Sequence, residues 1–245
     1  MRVDAHGIHS PFVYEFYNEV IMKAQFVDDA KIQKLRQQLK NDNSILKVED
    51  FGAGSKTKIG SNRKISSIVK SAAVNRKFGK LLARLIEFYK LENAIELGTS
   101  LGIGTSYIAS QQAIKKVSTL EGSPEIAKRA KLNFEKLGLK NIELVVGKFD
   151  ENLKKSIEPF SKIDLIYIDG NHQYQPTIDY FNFYIEHAND SSFLIFDDIY
   201  WSKGMKKAWD EICASPKINV SIDLFRMGIV CKRSKQDKQH FVLKY

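Results

Sequence analysis

Apolar positions in the first 75 residues recur at helical spacing. From Asn75 onward they give way to short apolar runs alternating with amphipathic stretches. Phe12, Phe16, Val20 and Ile21 share one helical face, and Ile32, Leu35 and Leu39 another, the recurrence expected of amphipathic helices. Asp50-Phe51-Gly52-Ala53-Gly54-Ser55 is glycine-rich and reads as a loop, which the basic, polar stretch Lys56 to Lys64 continues. Beyond it the pattern predicts a helix over Arg76–Tyr89, a strand over Ala94–Leu97, a glycine turn and a helix over Thr105–Ile114. Strand Val117–Leu120 follows with helix Pro124–Leu137, then strand Ile142–Val146 with a short helix near Glu151–Ile157. Strand Ile163–Ile168 precedes helix Pro176–His187, and strand Ser192–Phe196 precedes helix Met205–Cys213. The last two strands, Val220–Phe225 and Gly228–Lys232, are separated only by Arg226-Met227.

Strands alternating with helices imply parallel βαβ units with right-handed crossovers. The final connection is too short for a crossover, so the last pair is expected to be an antiparallel hairpin. The expected fold is therefore α/β: a mostly parallel, Rossmann-like sheet of seven strands ending in a C-terminal hairpin, with an N-terminal helical extension. The expected division is residues 1–75 as a helical cap, lid or dimerisation segment and 76–245 as the main domain. There is no internal repeat or low-complexity segment.

Length and composition narrow the class. The chain has 245 residues, enough for one domain with a buried core. Its 43% hydrophobic and 27% charged content is that of an ordinary soluble globular protein. No apolar run approaches the ~20 residues of a membrane span, and Met1 to Phe12 lacks the apolar stretch of a signal peptide. Cys213 and Cys231 are too few for a disulfide framework and lack metal-ligand spacing. The expected location is the cytoplasm, away from membranes. The net charge of +9 raises the question of a polyanionic partner, but the lysines are scattered, as on a solvated basic surface.

In an open α/β sheet, ligands sit beyond the carboxyl ends of the strands. After the first strand comes Glu96-Leu97-Gly98-Thr99-Ser100-Leu101-Gly102-Ile103-Gly104, where glycines let a ligand approach the backbone and the next helix offers unpaired N–H groups. This is not the G-x-G-x-x-G dinucleotide fingerprint. It does fit the G-x-x-x-G-x-G spacing of short-chain dehydrogenases, whose chemistry relies on a Tyr-x-x-x-Lys pair. No tyrosine here has a lysine four residues on, and Tyr200 and Lys203 come one residue short. The second strand ends in Glu121-Gly122-Ser123; such a carboxylate can accept both ribose hydroxyls of an adenosine ligand or cap the following helix.

The fourth strand ends in Asp169-Gly170-Asn171-His172 and the fifth in Asp197-Asp198. Three carboxylates at neighbouring strand ends repel one another unless a cation compensates, and their hard oxygens suit Mg²⁺ or Ca²⁺. Such an ion lowers the pKa of a bound hydroxyl and orients it. The alternative is that one aspartate contacts the ligand and another caps a helix. His172, alone among five histidines at a predicted strand end, has the near-neutral titration that suits proton abstraction. It is the candidate base.

Taken together, these residues resemble the class I S-adenosylmethionine-dependent methyltransferases. Within them the chain is similar to the catechol and caffeoyl-CoA O-methyltransferase group and its bacterial relatives, from about Ser71 to Met205. The resemblance implies that Glu96 and Gly98 hold the methionine part of the cofactor, in a turn completed by Thr99, Ser100, Gly102 and Gly104. It implies that Glu121 and Gly122 hold the ribose, and that Gly147, Lys148 and Phe149 line the adenine. Asp169 would serve the cofactor and catalysis, and Asp169, Asp197 and Asp198 fall where that group binds a divalent cation. The chain departs from the catechol pattern in two places. Asp198 stands in place of an asparagine, and His172 in place of a catalytic lysine, the latter resembling the bacterial sugar and macrolide O-methyltransferases.

The function expected from the resemblance is methyl transfer from S-adenosylmethionine to a hydroxyl of a small molecule, with Mg²⁺ or a similar ion as the candidate metal. RNA, tRNA in particular, is the alternative acceptor, motivated by the basic balance. A NAD(P)-dependent dehydrogenase and a non-catalytic module are weaker alternatives. A homodimer is compatible with the fold. His6-Gly7-Ile8-His9-Ser10-Pro11-Phe12 and the Asp50–Ser55 loop do not match the group's core and are read as a lid, or equally as packing or a dimer contact. Tyr200, Trp201 and Phe149 are candidates for the acceptor side.

Overall fold

The computed structural model describes residues 9–23, 27–48 and 61–245. The Asp50–Ser55 loop and the His6–Ile8 part of the N-terminal segment lie outside the described residues. The chain forms two compact units, one of residues 1–25 and 161–245, the other of residues 26–160. These boundaries differ from the 1–75 and 76–245 division expected from sequence, because the pieces of the N-terminal stretch pack with different partners.

In the first unit, helix α1 (Pro11–Phe16) starts where Ser10 Oγ accepts the Val13 N–H at 3.4 Å and Pro11 fills the first helical position. That arrangement is a normal helix start. A π-helical turn continues it over Tyr17–Met22. Phe12, Val13, Phe16 and Val20 are buried. The Phe12 ring centroid lies 6.1 Å from that of Phe193, and the Arg233 guanidinium lies 3.8 Å over the ring. The described end of the His6–Phe12 segment is thus a capped helix start with a packing aromatic.

The rest of this unit alternates β6 (Leu165–Ile168), α8 (Tyr174–His187), β7 (Phe193–Phe196), α9 (Lys203–Ala214), β8 (Val220–Asp223), β9 (Gly228–Cys231) and β10 (Gln239–Val242). Its strands run in the order β10-β8-β9-β7-β6. β6 and β7 are parallel, and β9 is antiparallel to both β7 and β8, which makes β8–β9 the expected hairpin. β6 and β7 are buried at every residue, the pattern of parallel strands covered on both faces.

The second unit contains α2 (Ala30–Lys40), β1 (Ile45–Val48), β2 (Ser61–Lys64), α3 (Ile65–Ala72) and α4 (Arg76–Tyr89). It continues through β3 (Asn93–Leu97), α5 (Ile103–Ala109), β4 (Lys116–Glu121), α6 (Pro124–Leu137), β5 (Ile142–Val146) and α7 (Phe149–Ile157). β3, β4 and β5 pair in parallel in that order. A buried carboxylate joins α2 to α4 and α5. Asp29 accepts Arg76 Nε at 2.7 Å, Arg76 Nη2 at 2.8 Å and the Tyr107 hydroxyl at 2.8 Å. The Arg76 guanidinium, foremost, holds the Asp29 carboxyl well below the usual carboxylate range.

Two expectations are corrected. The main sheet has eight strands rather than seven, because β10 pairs in parallel with β8. Its signal was hidden in a charged C-terminal stretch where Phe241 is the one buried strand residue. The N-terminal extension is not purely helical either, since β1 and β2 pair antiparallel, Ile45 opposite Lys64.

Candidate functional site

In the residue 26–160 unit, the candidate cofactor residues gather at the ends of β3 and β4. Glu96 is buried and its Oε2 accepts the hydroxyls of Thr105 and Thr119, the latter at 2.6 Å. Thr119 is in turn 2.6 Å from the Thr99 hydroxyl. Burial pushes the Glu96 carboxyl up to about 7, partly offset by Thr105 and Thr119. The chain then turns sharply. The Gly98 and Thr99 N–H groups both donate to Leu120 O at 3.0 Å, and the Gly102 N–H donates to Thr99 O at 2.9 Å.

Gly102 adopts φ +82°, and a Cβ there would meet the Phe134 ring at 2.4 Å. Only glycine fits, because L-residues avoid this backbone region and α6 leaves no room. Asn133 Nδ2 donates to Leu101 O at 2.9 Å, so α6 supplies the floor of the turn through Asn133 and Phe134. Gly104 lies within α5.

Glu121 fastens this turn to the next strand end. Its Oε2 accepts the Ser100 N–H at 2.8 Å and its Oε1 the Ser123 N–H at 2.9 Å, across Gly122. Glu121 thus joins the Ser100 amide to Ser123, the N-cap residue of α6. Gly147 donates its N–H to Glu121 O at 2.9 Å. Lys148 caps α7 and pairs with Glu151 at 3.3 Å, and Phe149 is the first residue of that helix.

In the other unit, Asp169, His172, Asp197 and Asp198 stand at the ends of β6 and β7. The Tyr167 hydroxyl is 3.0 Å from Asp169 Oδ2 and 3.3 Å from Asp197 Oδ2, one donor shared between two carboxylates. His172 Nε2 is 3.7 Å from Asp169 Oδ1. Burial holds the His172 imidazole below its ordinary pKa, against the pull of Asp198 and Asp197. Burial, then Asp197, raises the Asp198 carboxyl, with Arg226 and His172 opposing. Asn171, Asp198 and Phe225 carry φ of +49°, +54° and +69°, and such strained non-glycine backbone concentrates at functional sites.

The cation that balances the carboxylates is Arg226. Its Nε donates to Asp197 Oδ1 at 2.9 Å, its Nη2 to Asp197 Oδ2 at 3.0 Å, and Nη2 is 3.4 Å from Asp198 Oδ1. Asp197 Oδ1 also accepts the Asp198 N–H at 2.9 Å. Both Asp197 oxygens are therefore taken, and these residues do not fit a divalent cation, which needs free oxygen ligands. Among the described residues no group of three or more His, Cys, Asp or Glu could hold a metal ion. Of the three residues expected as metal ligands, Asp197 and Asp198 pair with Arg226, and Asp169 accepts the Tyr167 hydroxyl.

Four supporting features were missed in the sequence. Tyr167 carried a signal, being the one polar-tipped residue in its strand and two residues before Asp169, hence on the same side. Arg226 carried none, because nothing local places a turn residue against an aspartate 29 positions earlier. Thr105 and Thr119, and the Asn133–Phe134 floor, likewise act through tertiary contacts.

Comparison with known proteins agrees with this architecture. Residues 95–199 match the methyltransferase domain family. The chain is 29% identical over 129 residues to the uncharacterised protein R132 of Acanthamoeba polyphaga mimivirus, covering 49% of this chain and 58% of that one. The chain thus spans less than two thirds of that relative's length. Among solved structures it is similar to an O-methyltransferase from Bacillus cereus in complex with SAH, with TM-score 0.62, 19% identity, and 90% and 97% of the two chains covered. It is also similar to a putative caffeoyl-CoA O-methyltransferase from Staphylococcus aureus, with TM-score 0.60, 18% identity, and 68% and 88% covered. The fold is the Rossmann-like methyltransferase fold. Among the described residues no helix is long and apolar enough to cross a membrane.

Proposed function

We propose that the chain is an S-adenosylmethionine-dependent O-methyltransferase acting on a hydroxyl of a small molecule. The observation that carries the reading is Glu121, a strand-end carboxylate held by the Ser100 and Ser123 amides beside the Gly98–Gly104 turn. In this reading Glu96 and the turn from Gly98 through Thr99, Ser100, Gly102 and Gly104 take the methionine part of the cofactor. Glu121 and Gly122 take the ribose, Gly147, Lys148 and Phe149 take the adenine, and Asp169 is also assigned to the cofactor. The match to the methyltransferase domain over residues 95–199 supports this assignment, and the solved O-methyltransferases of the same fold support oxygen as the acceptor atom.

Methyl transfer is an in-line displacement, so the protein's task is to position the acceptor and remove its proton. The acceptor oxygen forms a bond to the methyl carbon as the carbon–sulfur bond breaks. The sulfonium becomes the neutral thioether of S-adenosylhomocysteine. His172, neutral at physiological pH because burial lowers its pKa, takes the hydroxyl proton, and Asp169 at 3.7 Å steadies the imidazolium that results.

RNA as acceptor is the competing reading, motivated by the net charge of +9. Incubation with methyl-labelled S-adenosylmethionine and a panel of phenols, catechols, sugars and RNA separates the two. Label in a small molecule supports the proposal, whereas label only in RNA, with binding that weakens steeply with salt, replaces it.

A further inference from the structure

We propose that the Arg226 guanidinium is the resident cation of the aspartate cluster and that the transferase works without a divalent metal. The inference rests on the methyltransferase reading and deepens it. A guanidinium pairing two-toothed with a carboxylate is a geometrically specific, charge-assisted contact. Here it uses the oxygens that a metal would need. Asp197 is fully buried, and its Oδ1 and Oδ2 receive Nε and Nη2 at 2.9 and 3.0 Å. A cation bound to Asp197 would have to displace Arg226 and leave one of the two charges unpaired.

The turn that carries Arg226 is built to hold it there. Between β8 and β9, the Leu224 N–H donates to Met227 O at 2.9 Å, and the Arg226 N–H to Leu224 O at 2.9 Å. Arg226 O accepts the Ile199 N–H at 3.0 Å, which ties the turn to the residue after Asp198. Phe225 accepts a left-handed backbone, with its N–H bonded to Asp223 Oδ1 at 2.7 Å. A Cβ on Gly228 would lie 2.5 Å from the Trp209 ring, so the strand that follows packs too closely to slide. These contacts fix the backbone from which the guanidinium reaches Asp197.

The side chain is 36% exposed, and among the described residues Nη1 has no hydrogen-bond partner. Nη1 is thus available to donate to the acceptor oxygen as it loses its proton. Unlike a metal ion, a guanidinium forms no coordinate bond to the hydroxyl, so proton removal falls wholly on His172.

The test is titration of Mn²⁺ alone into the full chain, followed by electron paramagnetic resonance. Turnover in EDTA and calorimetric binding of S-adenosylhomocysteine are measured on the same preparation. The expected results are no saturable Mn²⁺ binding, turnover unchanged by EDTA, and normal S-adenosylhomocysteine binding. Arg226→Lys, which keeps the charge but loses the two-toothed contact, is expected to lower kcat/KM by about 10²-fold, as for loss of one preorganised donor, with cofactor affinity retained. Saturable Mn²⁺ binding to the wild-type chain that Asp197→Asn abolishes overturns the proposal, as does full activity of Arg226→Lys. Absence of S-adenosylhomocysteine binding would instead sink the methyltransferase reading beneath it.

Discussion

Replacing Gly102 with alanine tests whether the candidate cofactor turn is shaped by α6. The perturbation has two separable parts. A left-handed backbone at φ +82° costs an L-residue about 1–2 kcal/mol. The added Cβ would also sit 2.4 Å from Phe134 Cε1, on a ring only 5% exposed and with no free side to move to; overpacking of this kind costs about 1–3 kcal/mol. Gly102→Ala should therefore lower unfolding stability by about 2–5 kcal/mol, read as a shift of the urea midpoint at unchanged slope. Phe134→Leu makes room, and in that background the penalty of Gly102→Ala should fall to the backbone part alone. A double-mutant cycle then gives a coupling of about 1–3 kcal/mol. Strict additivity would mean that Phe134 does not press on position 102.

Four further predictions follow from the two strand-end clusters and the Asp29 network. His172→Ala should keep S-adenosylhomocysteine affinity and lose about 10²–10⁴-fold in turnover; unchanged turnover would remove it as the base. Because a base must be neutral and burial lowers its pKa, the acid limb of the kcat–pH profile should lie below the ordinary imidazole value. Glu96 binds its proton more tightly in the fold, at about 7, than an ordinary glutamate does at 4.5. Its contribution is therefore present below 4.5 and lost as pH rises toward 7, and Glu96→Gln should flatten that part of the stability–pH curve. Asp29→Ala leaves the buried Tyr107 hydroxyl without its carboxylate acceptor and should destabilise the chain by about 1–3 kcal/mol; an unchanged urea midpoint would show that the network does not dock α2.

The regular part of the fold was legible because its periodicity is strong. Helices Arg76–Tyr89 and Pro124–Leu137 and strand Ile142–Val146 lie where the pattern predicts them. The helix after the glycine turn was placed late: it spans Ile103–Ala109, since Gly102 and Gly104 mask a helix start that α6 packing enforces. β1, β2 and β10 were missed because short edge strands with basic or half-exposed residues lack the apolar run that marks a buried strand. Among the candidate site residues, Glu121, Asp169 and Asp197 stood out because each ends or directly follows an apolar strand, and Glu96 because it is the one charged residue inside such a strand. The question of what balances three aspartates was legible too, but its answer was not. Arg226 reaches Asp197 through a turn that closes only once β8 and β9 have paired.

Whether this chain binds S-adenosylmethionine is decided by calorimetric titration of that cofactor into the purified full chain, with NADPH as the parallel control. The expected result is saturable one-site binding of S-adenosylmethionine, weakened by Glu121→Gln, and no binding of NADPH. Absence of S-adenosylmethionine binding, or binding of NADPH in its place, would contradict it.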